Sequence, residues 1–550
     1  LLLAVPNMVI YESGAGDFTT SFHNYVTEYH QSLFIGAASQ VLNGSAELVD
    51  TVSQYGIGSI YLVAAFFEVA PIGYLTLGFF EGVLSALVFG LAFGILRMAG
   101  VSRLLAASAM GVAVVALVWG TEYPNGALLQ HGAIRFGLPM PLIAAVVASF
   151  RWPRSRTAME WIALFVIGIS SVWALEAFLY VSATAAALLA IWMTWVPAPE
   201  RIRRLVTVVL AIVGAWVVTQ VAFALITLAA SGSLPDWGLY LTYLREFLTG
   251  GIGDLTYDMS PWSPGLAVFF VYVLSAVAIA SLVLTRREFT ASRRPAFLAL
   301  AGLAGYGAVL FSYFDNRSLD HILPYVSLPA LMLVTIWLGL LLDRSAGFSP
   351  RTRMAGLAAA LLLASVSAST VWTQASARSS DSLLAYVIPG STSVGDGFHR
   401  IWNPPALKPG AAAGQQLIER WMPDTDEVAV ITEPDLDNEI LARADRANQL
   451  RITDAKEASW VPGPHLPEVE EAATSLGTGG RMLVDKHAVE AALLVENDPA
   501  AALAGPDQIA AVTGLQAIQV RALAWILSDY RLEKVAGPVD GISVVELKPR

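Results

Sequence analysis

The sequence predicts a polytopic α-helical membrane domain of about eleven transmembrane helices, followed by a C-terminal α/β domain. Three observations carry this. Eleven apolar stretches run from Leu1 to about Trp372, and hydropathy then falls to ordinary soluble composition over 373–550. Arginines gather in alternate loops between the stretches. The terminal segment mixes short buried-strand patterns with helical periodicity. The expected division is therefore a membrane domain over 1–372 and an α/β domain over 373–550.

The expected spans are 1–11, 74–97, 104–120, 136–150, 158–175, 177–196, 205–230, 264–285, 296–313, 324–342 and 354–372. As a helix, Leu1–Tyr11 covers only about 16 Å of a bilayer core about 30 Å thick, so the native chain is expected to start earlier. No small-residue cleavage site follows it, which argues against a signal peptide. Arg97 and Arg103 flank one loop. Arg151, Arg154 and Arg156 occupy the next, then Arg201, Arg203 and Arg204, then Arg286, Arg287, Arg293 and Arg294, and last Arg344, Arg351 and Arg353. The positive-inside rule makes these five loops cytoplasmic. Loops 12–73, 121–135, 231–263 and 314–323 then face the other side with the terminal domain, and they hold only Arg135, Arg245 and Arg317. The expected location is the cell membrane, multi-pass, with the C-terminal domain extracytoplasmic. The alternation closes if 56–70 does not cross. That segment is short and precedes Pro71, so it reads as a helix in the outer interface.

Phe22–Asn43 reads as a helix stopped at Gly44, with His23, Thr27 and His30 on one face. In the terminal domain, Val428–Thr432 and Arg481–Asp485 read as strands. Asp437–Ala447, Pro467–Leu476 and Leu515–Tyr530 read as helices, and Arg531–Leu547 as a hairpin around Gly537-Pro-Val-Asp-Gly541.

Charge and composition exclude several classes. Net charge is −11; from Val371 onward there are 15 basic and 25 acidic residues, a balance of −10. An acidic outer domain argues against nucleic acid and against tight docking on anionic headgroups. All five lysines lie at Lys408 or beyond, which with the alanine content suggests a GC-rich bacterial genome. The chain has no cysteine, so disulfides, thiolate catalysis and thiolate metal sites are excluded. No phosphate-loop, dinucleotide-binding or HExxH pattern occurs.

Two clusters can carry chemistry. Asp17, in Glu12-Ser-Gly-Ala-Gly-Asp-Phe18, follows the first apolar stretch. A carboxylate held there can act as a general base towards a hydroxyl, or it can cap the next helix. The segment Tyr313-Phe-Asp-Asn-Arg-Ser-Leu-Asp-His-Ile-Leu-Pro-Tyr325 is a tight turn between apolar helices. Arg317 and His321 are four residues apart. A guanidinium fork suits phosphate oxygens, against the plainer reading of a staple to Asp315 or Asp320. Glu176, between two spans, either contacts a substrate or is solvated. Glu122 and His131 are weaker candidates. His23, His30, Asp50, Tyr55 and Trp262 are further substrate-binding candidates. No second ligand pair accompanies His23 and His30, so no metal site is assigned. The acidic run Thr432-Glu-Pro-Asp-Leu-Asp-Asn-Glu439 suits a cation or sugar hydroxyls, or more simply a loop and a helix start.

These segments resemble the integral-membrane glycosyltransferases of the GT-C fold. The matching features are the acidic residue after helix 1, the long outer loop with Ser53-Gln-Tyr-Gly-Ile-Gly58, the Tyr313–His321 turn and the outer C-terminal domain. The chain departs from the family in one respect: Asp17 is followed by Phe18, where many members carry paired acids. The resemblance implies a donor sugar on polyprenyl phosphate, a glycan, lipid or protein acceptor of the cell envelope, and contact with membrane lipids. It also implies an inverting reaction with Asp17 as base and with Arg317 and His321 on the leaving lipid phosphate. No cofactor is required; a divalent metal is compatible but not indicated. A transporter or flippase of a lipid-linked glycan is the competing class. The few mid-span charges and the lack of a repeat favour the enzyme. A non-catalytic scaffold of the same fold is the third reading.

Overall fold

A computed structural model describes residues 22–119, 129–241, 245, 258–284, 291–316, 318–319, 322–343, 350–351, 353–354, 399, 401–404 and 409–550. The expected span 1–11, and all but the first residue of 354–372, lie outside them. In chain order the helices before the terminal segment are α1 (Phe22–Leu42), α2 (Ile57–Phe67), α3 (Tyr74–Met98), α4 (Arg103–Trp119), α5 (Ala133–Phe136), α6 (Pro139–Arg151), α7 (Arg156–Ser170), α8 (Leu175–Trp195), α9 (Ala198–Ser231), α10 (Gly265–Leu284), α11 (Arg294–Asn316) and α12 (Leu323–Leu342).

The protein is a polytopic α-helical membrane protein. Among the described residues, six helices are long and apolar enough to cross a bilayer: Thr76–Met98 within α3, then α8, α9, α10, α11 and α12. Three other expected spans are shorter helices, α4 of 17 residues, α6 of 13 and α7 of 15. Pro139 opens α6, and Pro153 follows closely on its end, so proline sets its length. Gly44, in the left-handed region at φ 95°, lets the chain leave α1 where Asn43 stops it. Helix α2 ends at Phe67, ahead of Pro71.

The chain divides into two compact units. The first takes its described residues from 78–223 and 258–354 and is built on α11, whose buried face runs from Pro295 to Phe314. Glycines bring its neighbours close. A side chain at Gly307 would strike Tyr272 of α10, and one at Gly305 would strike Ala187 of α8. The hydroxyl of Tyr272 donates to the Val326 carbonyl at 2.5 Å, tying α10 to α12.

One end of this unit collects the arginine-rich connections. Arg97 donates to the Val101 carbonyl, and Arg201 to that of Val196 at 3.2 Å. Arg293 pairs with Asp343 at 3.6 Å, Arg353 reaches the Asp343 carbonyl, and Arg294 lies 5.3 Å over the Trp195 ring. The sequence-predicted alternation of loops is thus met within the unit.

The second unit takes its described residues from 22–77, 224–245 and 399–550. Its terminal part contains α13 (Pro409–Trp421), β1 (Glu427–Ile431), α14 (Leu436–Ala444), β2 (Ala447–Asn448), α15 (Ala455–Trp460), α16 (Pro462–Ser475), β3 (Arg481–Val484), α17 (Lys486–Asn497), α18 (Pro499–Ala504), α19 (Pro506–Thr513), α20 (Ala517–Asp529), β4 (Tyr530–Val539) and β5 (Ile542–Pro549). The strands form one sheet in the order β2-β1-β3-β5-β4. β1 pairs in parallel with β2 and β3, and β5 runs antiparallel to β3 and β4. Strand alternation sends Ala429, Ile431, Met482 and Val484 into one core with α16, α17 and α20. Val428, Val430, Leu483 and Val544 face the other way, against α13 and α14. The expected hairpin turns at Asp540 and Gly541, both at positive φ, the conformation that two-residue hairpins favour.

Candidate functional site

At the end of the first unit opposite its arginine-rich connections, the short helix α5 is held by Glu81 of α3. The Glu81 carboxylate accepts from the backbone N–H of Ala133, and from Ile134 at 3.4 Å, while Ser85 donates to it at 3.2 Å. The first N–H groups of a helix lack intrahelical partners, so a buried carboxylate there satisfies both sides. Gly132 allows the approach: any side chain at 132 would collide with Glu81. The other end of α5 is fixed by Tyr306, whose hydroxyl donates to the Phe136 carbonyl at 2.5 Å, and by Trp173, whose indole donates to Ile134 at 2.7 Å.

This frame presents Arg135. Its guanidinium pairs with Glu176, and the two side chains are 12% and 26% exposed, so solvent screens the pair only in part. It also lies 5.2 Å over the ring of Tyr313. His131 Nε2 is hydrogen-bonded to the Tyr313 hydroxyl at 2.9 Å, and its ring lies 4.4 Å from that of Tyr325. The result is a cation, a carboxylate, a histidine and two tyrosines at one end of the bundle. In the sequence, Tyr313 and Tyr325 bracket the segment that carries Arg317 and His321. Trp262 stands near the start of α10, 92% exposed, three residues before Gly265, which packs against Phe314. An exposed tryptophan is typical of a membrane–water interface.

Other sequence candidates lie in the second unit. Tyr55 is buried and stacked on Phe34, with ring centroids 4.3 Å apart. The Asp50 carboxylate accepts from the Ala46 N–H at 2.8 Å, closing the loop after α1. His30 is half-buried on α1. The acidic run 432–439 is largely buried against α1. Ser32 donates to Asp435 at 2.6 Å, Asp435 pairs with Lys456, and Asn438 donates to Asp454 at 3.1 Å. Thr51 and Thr453 share a hydrogen bond of 2.8 Å, and the Gln54 N–H donates to Glu457 at 2.5 Å. Burial drives the Asp454 carboxyl up to about 6, with Asp435 adding to the rise and Lys456 opposing it. Glu47, fully buried, is raised by burial and then by Glu457. These carboxylates join the loop to the terminal part of the unit. The run itself is a loop leading into the start of α14, the plainer of its two readings, although Asp435 at the N-cap makes no side-chain capping bond.

Asp17, Arg317, His321, Asp320 and Glu122, and the side chain of His23, lie outside the described residues. Among the described residues no three His, Asp or Glu side chains are grouped as a metal site. Sequence reasoning passed over two residues of the α5 frame. Arg135 falls among the outer arginines with no role of its own in the sequence reading, although it stands against the charge bias and precedes an aromatic. Glu81 is the one acid in the apolar helix α3, a signal in itself.

The described fold and this end of the bundle define a multi-pass membrane protein with an appended α/β unit. No protein-family model matches the chain, and a comparison with curated proteins finds no match. Among solved structures, the chain is similar to ArnT from Cupriavidus metallidurans in the apo state. The identity is 14% and the TM-score 0.41, over 94% of this chain and 92% of that one. The same protein bound to undecaprenyl phosphate is similar at 14% identity and a TM-score of 0.38, over 94% and 96% of the two chains.

Proposed function

We propose that the chain is a membrane glycosyltransferase that moves a hexosyl or pentosyl unit from a polyprenyl-phosphate donor to a cell-envelope acceptor on the outer face. The observation that carries the reading is the gathering of Arg135, Glu176, His131, Tyr313 and Tyr325 at one end of the bundle, where the two tyrosines bracket Arg317 and His321 in the sequence. Cations held at a membrane edge against partly buried aromatics suit a phosphate whose lipid tail stays in the bilayer.

In the reaction, an acceptor hydroxyl oxygen attacks the anomeric carbon while the bond from that carbon to the phosphate oxygen breaks. The leaving lipid phosphate takes the electron pair, and the anomeric configuration inverts. Asp17 accepts the hydroxyl proton as the attack proceeds. Arg317, helped by His321, meets the charge that develops on the phosphate, which is most effective in a water-poor site. Arg135, braced by Glu176, adds positive potential from the α5 side. Glu81 acts at one remove, as a positioning residue for Arg135.

The test is Asp17→Asn in the purified full chain. Asparagine caps a helix about as well as aspartate, so the substitution separates capping from proton transfer. A folded, donor-binding protein whose transfer falls by about 10²-fold or more is expected, the usual scale for losing a general base. Near-normal transfer would remove Asp17 from the mechanism.

A further inference from the structure

The first unit contains a cavity of about 330 Å³ at the end opposite the α5 site, between α6, α7, α8 and α9. It is shaped by how two helices part. At their inner contact α7 and α9 touch. The Trp216 indole donates to the Ile167 carbonyl at 3.1 Å, Gln220 donates to that of Ser171 at 2.9 Å, and a side chain at Gly168 would strike Thr219. Towards the arginine-rich end the helices splay and leave a wedge. Its floor is apolar, formed by residues such as Leu142, Ile167 and Leu188, and its mouth carries Arg156, Glu160 and Arg204. From Arg156 to Ile167 the wedge extends about 16 Å along α7, at 1.5 Å per residue. The helix α9 that forms one wall is exposed or half-buried along its length, and Thr227 alone is buried.

We infer that this wedge binds one acyl chain of an anionic phospholipid, with the phosphate at the arginine mouth. The charge balance is the reason to commit to an anionic headgroup. The segments 151–160 and 198–204 carry six arginines, Arg151, Arg154, Arg156, Arg201, Arg203 and Arg204, against two acids, Glu160 and Glu200. Both acids are already engaged, Glu160 with Arg156 at 2.7 Å and Glu200 with Arg203 and Arg204 at 3.7 and 3.5 Å. A guanidinium presents five N–H donors, and the Glu160 contact uses the Nε donor of Arg156. Basic pockets between membrane helices hold anionic lipid headgroups on this principle, and the apolar wedge supplies the chain-binding part. The site is separate from the proposed donor site, which lies at the other end of the same unit.

Native mass spectrometry of the full chain in neutral detergent, titrated with dioleoyl phosphatidylglycerol or dioleoyl phosphatidylcholine, tests this. The expected result is one tight phosphatidylglycerol site, at least tenfold stronger than phosphatidylcholine and unaffected by millimolar inorganic phosphate. Ala211→Phe, which fills the wedge, should abolish that site. The double substitution R156Q/R204Q, at the exposed mouth, should leave the protein folded and erase the preference between the two lipids. Equal binding of both lipids by the natural chain would overturn the inference. So would competition by free phosphate, or unchanged phosphatidylglycerol binding in R156Q/R204Q.

Discussion

By the positive-inside expectation Arg135 and Arg317 both fall on the side of the membrane that arginine normally avoids, and the proposed reaction needs them for different work. Arg317→Lys should lose most transfer, because a point charge does not replace a bidentate fork. If Arg317→Ala keeps both turnover and lipid-phosphate affinity, the residue is only a loop staple. Tyr313→Phe keeps the ring under Arg135 and removes one hydrogen bond to His131. A stability loss of about 1 kcal/mol is expected by thermal unfolding, the usual net value of one such bond. One buried carboxylate of the second unit, Asp454, titrates in an accessible range. Folded Asp454 holds its proton to about pH 6, whereas in an unfolded chain it releases it near 4. The folded state therefore binds more protons between those values. The Asp454 contribution is fully present below about pH 4 and is lost as pH rises through about 6. His465, driven down to about 4 by burial, works in the opposite sense over the same window. The test is therefore a difference. The stability of the natural chain minus that of Asp454→Asn should fall between pH 4 and 6. Parallel curves would contradict the assignment.

At the scale of elements, two glycines mark where helices meet polar partners too closely for any side chain. Gly132→Ala would push Glu81 off the N-terminus of α5, and Gly36→Ala would press α1 against the Thr453 carbonyl and Asn438. Overpacking of this kind costs about 1–3 kcal/mol. Gly132→Ala should also lower transfer through Arg135, while Gly36→Ala should lower the unfolding temperature alone. Equal effects of both on transfer would contradict the positioning role of α5. The elements that sequence reads well are those with a strong period or a hard stop. α1 ends at its Asn43-Gly44 signal, β1 and β3 lie where their apolar runs do, and the β4–β5 hairpin turns at its Asp540-Gly541. Shorter elements are less legible. α13, α15 and α17 to α19 were not anticipated, because short amphipathic helices are shaped by the sheet they pack on more than by their own pattern. The length of α6 is set by Pro139 and by Pro153 beyond its end, and the expected span 136–150 matches it to within three residues. The α5 site was legible only in fragments. Tyr313 and His131 are 182 residues apart, and no local spacing brings them together.

At the scale of the whole molecule, the alternation of arginine-rich loops was legible throughout, and it sets the expected sidedness. The natural absence of cysteine allows a direct check. Single cysteines at Ser45, Ser233 and Ser380 should react with an impermeant thiol reagent on intact cells, and one at Ser292 should not. The reverse pattern would overturn the sidedness and the donor class with it. Less legible was the way residues far apart in sequence share a unit. The Asp236 N–H donates to the Leu48 carbonyl at 2.7 Å, and α1 packs on the terminal sheet, contacts with no signature in a single sequence. The central claim is the donor. The most direct measurement supplies the purified full chain with a panel of radiolabelled polyprenyl-phosphate sugars, and separately with nucleotide sugars, and follows release of free polyprenyl phosphate and transfer of label to envelope glycans. Turnover of at least one lipid-linked sugar, none of any nucleotide sugar, and loss of that turnover in Asp17→Asn is the expected result. Transfer from a nucleotide sugar, or lipid-phosphate release that Asp17→Asn leaves intact, would contradict it.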